Sequence, residues 1–201
     1  LAGRFIYSNL TGGQGGQDQE QVEAGKSFAV DINGYYTDKV KIGQYDCDWA
    51  AGFSISNLGA KLGYTAETKN FIPTNLGVGG SLTMNIDKYN KITGTIDFNK
   101  LLVPTPPIYE TNEVGEKQII KGKSDDVGII QGVFQSFGDA PDGFSEEIKE
   151  ITTSIGAEYW YANQFAARLG YFHENAKKGN RKYFTAGVGM RMKMLGLDYS
   201  Y

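Results

Sequence analysis

Few residues in this chain have side chains that could carry out catalysis or bind a metal. Cys47 is the one cysteine and His173 the one histidine, so the sequence provides neither an internal disulfide nor a Cys/His metal centre. It contains no Ser/His/Asp grouping and no acidic pair in a suitable context. The strings GVGGS and GVGMR do not precede a helix, as a phosphate-binding loop requires. We therefore predict that the protein is not an enzyme and uses no metal or cofactor.

A second set of residues is charged and alternates with apolar positions. These residues are Asp31, Asp48, Asp97, Glu158, Arg168, Arg191 and Lys193. Gathered on one face of a sheet inside a barrel, they could line a conduction path through the lumen. The sequence favours the alternative that they pair with one another, because an unpaired buried charge is costly.

The elements that would position these side chains are β-strands. In RKYFTAGVGMRMKM, residues 181–194, every second residue from Phe184 onward is apolar, and a period of two indicates a strand with two unlike faces. The same alternation predicts seven more strands and the beginning of a ninth at residues 197–201. The seven are residues 1–9, 27–36, 46–56, 76–86, 91–99, 150–160 and 165–173.

The connections between these strands alternate in length. The long ones are residues 10–26, 57–75 and 100–149, whereas 87–90, 161–164 and 195–196 are tight turns. Residues 37–45 and 174–182 are intermediate. Long loops on one side and short turns on the other are typical of outer-membrane barrels.

Composition agrees with a β-rich membrane protein of 201 residues. The chain has 27 Gly, 13 Tyr and 11 Phe, and its net charge of −3 comes from mixed acids and bases, which argues against a nucleic-acid partner. It has no run of eighteen apolar residues for a transmembrane helix. Its first residues do not read as a signal peptide, and we expect a preceding segment to be missing.

Two architectures fit the alternating pattern. A soluble β-sandwich adhesin or binding module would bury the apolar faces, whereas a membrane barrel would present them to lipid. The small residues on the polar faces and the aromatic residues near strand ends favour the barrel. We predict an all-β, transmembrane antiparallel β-barrel, with residues 1–201 as a single partial domain. About eight strands of a larger barrel are present, and the uneven strand number predicts that others are missing.

The segment from residue 155 to 201, IGAEYWYANQFAARLGYFHENAKKGNRKYFTAGVGMRMKMLGLDYSY, resembles the C-terminal part of the PorV family. WAAGFSISNLGAKLGYT and FIPTNLGVGGSL add to the resemblance. PorV proteins are FadL-like outer-membrane barrels of the type IX secretion system of Bacteroidetes. The resemblance implies that this chain is a C-terminal portion of such a barrel, located in the Gram-negative outer membrane.

The resemblance also implies a role in protein export and the partners for it. The protein would bind the C-terminal signal domain of type IX cargo at the SprA/Sov translocon. It would then shuttle the cargo to an attachment complex that contains PorU. The alternative is a FadL-like channel for small hydrophobic molecules, which would need an apolar pocket in the lumen.

The candidate cargo-binding segment is residues 104–149, predicted to be a long extracellular loop with a short helical segment. Within it a set of apolar residues follows the helical spacing i, i+1, i+4, i+5, i+8. The set is Ile129, Ile130, Val133, Phe134 and Phe137. This stripe could pack on its own barrel or contact the translocon or the cargo.

Overall fold

A computed structural model describes residues 1–9, 24–65, 69–112 and 115–201. Within these ranges the chain is mainly β-strand, arranged as one nine-stranded sheet and two small two-stranded sheets. The predicted connection 10–26 lies largely outside the described residues.

The nine strands follow one another in chain order, each paired with the next. They are β1 (Ala2–Ser8), β2 (Gly25–Ile42), β3 (Tyr45–Gly59), β6 (Asn75–Asn85), β7 (Asn90–Leu101), β10 (Thr152–Tyr161), β11 (Phe165–His173), β12 (Lys182–Met192) and β13 (Leu195–Ser200). The small sheets are β4 (Leu62–Gly63) with β5 (Lys69–Asn70), and β8 (Ile108–Thr111) with β9 (Lys117–Lys121). The helices are α1 (Ile129–Gln135), α2 (Phe144–Glu147) and a short 3-10 helix, Ile148–Glu150.

Each predicted strand is present, but two boundaries were wrong. β2 continues to Ile42, so the expected connection 37–45 shrinks to a turn at Gly43, whose φ is +61°. The even-numbered apolar face is interrupted by Asp38 and resumes at Val40 and Ile42, with Lys39 and Lys41 on the other face. The last turn lies at 193–194 rather than 195–196, because Lys193 takes a left-handed conformation with φ +48°.

The sheet is antiparallel but open in the described residues. β1 and β13 are its edge strands and do not pair with each other. The prediction of an antiparallel sheet is therefore confirmed, whereas the closed barrel is not observed in this part of the chain.

The described residues divide into two compact units. The first comprises Leu1–Asn33, Ser54–Leu76 and Leu101–Ile148, and it holds β4, β5, β8, β9, α1 and α2. The second comprises Gly34–Phe53, Gly77–Lys100 and Lys149–Tyr201. It holds all the short turns between consecutive strands of the large sheet.

The exposure pattern of the strands is the reverse of that in a soluble protein. In β2, Ser27 and Asp31 are buried, whereas Phe28 is 69% exposed. In the second unit Phe184 is 81% exposed, and its cross-strand partner is Tyr171. A soluble sandwich would bury these faces against a second sheet, so the exposure argues against that alternative.

In the part of the chain that the structure describes, no helix is both long enough and apolar enough to cross a membrane.

Candidate functional site

Three of the predicted lumen-facing charges meet in one network on the polar face of β10 to β13. Arg168 donates to Glu158 over 2.5 Å and to Asp198 over 2.7 Å. Asp198 also accepts from the Arg191 guanidinium over 2.7 Å. Two carboxylates thus face two guanidinium groups, so the network is balanced and stabilises the sheet rather than leaving a free charge.

Glycine in β12 gives Arg168 the space to reach across that strand. A Cβ at Gly189 would lie 2.6 Å from Asp198 Oδ1 and 2.9 Å from Arg168 Nη1. The Trp160 ring lies beneath both guanidinium groups, with its centroid 5.5 Å from Arg168 Cζ and 5.7 Å from Arg191 Cζ. Gly189 in the string GVGMR therefore leaves the space that the side chains of the ion-pair network occupy.

The other predicted charges lie apart from this network. Asp31 is buried in the first unit, where it accepts from the Arg4 Nε over 2.7 Å and from the Asn57 amide over 2.9 Å. In the second unit Asp48 accepts from Asn85 over 3.2 Å. Asp97 lies against Gly79 at a point where a Cβ would collide with its carboxylate. Lys193 is exposed in the turn after β12.

The segment 104–149 is held in shape by two buried carboxylates. Glu147 is 5% exposed, and its Oε1 accepts from the Asp139 and Ala140 amides over 2.8 and 2.9 Å. The Asp139 carboxylate accepts from the Thr105 amide over 3.1 Å. Because buried hydrogen bonds to a charged carboxylate are strong, they tie α2 to the turn that follows α1.

Helix α1 is packed on its small residues and exposed on its large ones. Gly132 and Ser136 are buried, and a Cβ at Gly132 would lie 2.7 Å from the Phe71 ring. Ile130, Phe134 and Phe137 are 60%, 73% and 50% exposed, while Ile129 and Val133 are half-buried. The structure therefore splits the predicted stripe, and the larger part of it does not pack on the described residues.

The same exposure recurs on α2 and on the 3-10 helix that follows it. Phe144 is 77% exposed and Ile148 is 52% exposed, four residues further on. We call Ile130, Phe134, Phe137 and Phe144 the apolar loop surface. A set of large apolar side chains held outward by a folded loop is typical of a protein-binding surface.

We expect Gly132→Ala to loosen α1, although alanine normally favours a helix over glycine. The added methyl group would overlap the Phe71 ring and approach Pro104, at a cost of about 1 to 2 kcal/mol. Amide hydrogen exchange over residues 129–135 should accelerate about tenfold. Gly138→Ala is the matched control, since a Cβ at Gly138 meets nothing within 4 Å. Equal exchange in the two variants would show that α1 is not packed through Gly132.

The connection between β11 and β12 is a turn built around one ion pair. The Arg181 side chain donates to both oxygens of Glu174 over 2.8 Å, and the Arg181 amide donates to Glu174 over 3.2 Å. The Arg181 side-chain hydrogen bonds are the main cause that lowers the pKa of Glu174 from 4.5 to about 2. The carboxylate is thus charged at any physiological pH.

We expect this pair to contribute stability that depends on pH. Because the pKa of Glu174 is lowered by folding, its contribution is complete above about pH 5 and is lost as the pH falls toward 2. In a detergent-solubilised protein, Glu174→Gln should lower the unfolding midpoint by a few degrees at pH 7. The two midpoints should converge near pH 2. Glu110→Gln, an exposed glutamate in β8, serves as control, and a gap that persists at pH 2 would contradict the assignment.

A second ion-pair cluster anchors the far end of the long segment. Glu150 accepts from Lys100 over 2.6 Å and from Lys178 over 2.9 Å, and its side chain is 13% exposed. Lys100 belongs to β7 and Lys178 to the connection between β11 and β12. Glu150 therefore joins the start of β10 to both elements.

Among the described residues, no group of three or more His, Cys, Asp or Glu side chains is placed to hold a metal ion.

Sequence reasoning missed several residues of these sites. Asp198 was not predicted as a lumen-facing charge, although its strand was, because its partners Arg168 and Arg191 lie on two other strands. Gly132 and Phe144 were also missed. The one available signal for Gly132 is a small residue in the middle of an apolar helical stripe.

Exposed apolar strand faces, a polar face of paired charges and alternating long and short connections are together features of outer-membrane β-proteins. The sequence profile of the type IX secretion system protein PorV matches residues 1–108, and the chain belongs to this family. No curated protein is significantly similar to it. The predicted family is thereby confirmed. WAAGFSISNLGAKLGYT and FIPTNLGVGGSL lie within the matched residues, whereas the longer motif from 155 to 201 lies beyond them.

Family membership makes this protein a component of the type IX secretion system and indicates an outer-membrane location. The family is one of secretion-system components and is not known for an enzymatic activity. Other parts of the same system are the partners that this membership suggests.

Proposed function

We propose that the protein is a non-enzymatic subunit of the type IX secretion system that binds the C-terminal signal domain of cargo. It receives the cargo at the SprA/Sov translocon and passes it to the attachment complex that contains PorU. Family membership supports the system, and the exposure of the apolar loop surface supports the binding step.

The nine strands form part of the wall of a transmembrane barrel. Their exposed apolar residues face lipid, because in water such rows would be strongly unfavourable. The network of Glu158, Arg168, Arg191 and Asp198 then faces the lumen, where its charges are paired. In the described strands this face therefore carries charged groups, which argues against the apolar lumen that a channel for small hydrophobic molecules would need.

The segment 104–149 is the cargo-binding loop on the extracellular side. The observation that carries this proposal is that α1 is packed through Gly132 while Phe134 remains 73% exposed. A helix that served only to cover its own barrel would bury its large side chains and expose its small ones. The hydrogen bonds from Asp139 and Ala140 to Glu147 hold the surface ready for a partner, which reduces the ordering cost of binding.

An affinity pull-down from detergent-solubilised outer membranes tests this function, with the full-length protein as bait and an unrelated outer-membrane barrel as control bait. We expect recovery of a very large barrel protein and of secreted proteins that carry the type IX C-terminal domain. Recovery of neither, together with a bound fatty acid or similar molecule, would instead favour the FadL-like channel.

A further inference from the structure

The end of the β11–β12 hairpin carries cations directly beside aromatic side chains on the apolar face of the sheet. Tyr171 pairs with Phe184, and two residues further along each strand His173 pairs with Lys182. Because side chains two residues apart share a face of a strand, all four lie on the same face. The Tyr171 and Phe184 rings are in contact, with centroids 4.7 Å apart.

The row of apolar residues continues on the neighbouring strand. Ile155 of β10 lies opposite Tyr171, and Thr153 lies opposite His173. Moving along this face toward the loop, the side chains thus change from apolar to aromatic and then to polar and cationic. Such a gradient is the one found where a membrane protein passes from the hydrocarbon to the headgroup region.

The carboxylates near this hairpin are already engaged by other cations. Glu174 is bound by Arg181, and Glu150 by Lys100 and Lys178. Within the described residues, Lys177 and Lys182 are exposed and have no carboxylate at salt-bridge distance. The hairpin therefore presents net positive charge on a chain whose overall charge is −3.

We infer that Lys182, on the same face as the Tyr171–Phe184 pair, and Lys177 in the adjoining connection form a binding surface for the anionic phosphate headgroup of a membrane lipid. The lysines bind the phosphate, and the aromatic rings contact the first part of the acyl chains. The occupant is a lipid rather than a free anion, because the Phe184 ring of the aromatic pair is 81% exposed and phosphate alone would leave it in water. The inference rests on the proposed placement of the strands in the membrane.

Native mass spectrometry of the full-length protein in a neutral detergent tests this inference, with phosphatidylglycerol and phosphatidylcholine as the two probes. The unmodified protein should retain phosphatidylglycerol preferentially. K177Q/K182Q should weaken that retention by about 25-fold, since each cation near an anionic surface contributes about a factor of five. K39Q/K41Q is the matched control, because it removes two exposed lysines of β2 and should change nothing.

One further variant, Phe184→Ser, and one further probe, inorganic phosphate, distinguish a lipid site from a simple anion site. Phe184→Ser keeps all the charges and should also weaken phosphatidylglycerol retention. The inference would be overturned in favour of a free-anion site if millimolar inorganic phosphate displaced phosphatidylglycerol and if Phe184→Ser retained phosphatidylglycerol as well as the unmodified protein does. Equal retention of the two lipids, or an equal loss in K39Q/K41Q, would overturn it as well. Cargo capture does not use these lysines, so an unmodified protein that captures cargo but shows no preference for phosphatidylglycerol would contradict only this inference.

Discussion

Phe134→Asp is expected to reduce the affinity of the protein for a purified type IX cargo C-terminal domain by about 30-fold or more, the effect of losing one central interface residue. Phe134 has the largest exposed side chain on α1. A carboxylate at this position would have to be buried against the partner without a counter-charge, which adds to the lost apolar contact. A binding titration in detergent measures the change.

The helix offers a close control for this variant. Gln131 is exposed on α1, so Gln131→Asp introduces the same charge on the same helix, and we expect its affinity to stay within about threefold. Phe134→Leu should retain most of the binding. If Phe134→Asp and Gln131→Asp bind cargo equally well, the apolar loop surface is not the cargo site.

Arg168→Met is expected to have the largest effect on stability among the polar-face residues. It removes both ion pairs of Arg168 and leaves Glu158 without its 2.5 Å partner. Breaking a fully buried pair costs about 3 to 5 kcal/mol. Because Arg168 is about one-third exposed (side chain 32%), we expect about 2 kcal/mol once solvent screening is included. Equilibrium unfolding in detergent measures this loss.

A double-mutant comparison separates the ion pair from the loss of packing on Trp160. Glu158→Gln in the Arg168→Met background removes the stranded charge and should recover part of the stability. Arg168→Lys keeps the charge but cannot bridge Glu158 and Asp198, so it should be intermediate. Full stability of Arg168→Met would show that the network does not hold the strands together, and would leave a conduction role open.

The strands were predictable because their alternation is regular and local. A period of two places side chains on two faces regardless of what surrounds the sheet, and Phe184, Val188 and Met192 illustrate it well. The ends of strands were less predictable, since a left-handed residue such as Lys193 leaves no clear mark in the sequence. Charged residues inside β2 likewise concealed the continuation of its apolar face to Ile42.

The candidate site was only half predictable. The helical spacing of the stripe marked α1, but spacing cannot tell which of its residues point inward. That depends on Gly132 approaching Phe71 and Pro104, a contact between segments far apart in sequence. The same limit applies to Asp198, whose partners lie on two other strands.

Photo-crosslinking from position 134 tests the central claim most directly, because it reports what the exposed face of α1 contacts during secretion. A photoreactive amino acid replaces Phe134 in the full-length protein in cells that are secreting type IX cargo, and the same replacement at Gln131 gives the comparison. The account predicts crosslinks from position 134 to cargo C-terminal domains, and far fewer from position 131. Crosslinks from position 134 only to the protein's own strands would contradict it, because the loop would then cover the barrel rather than bind cargo.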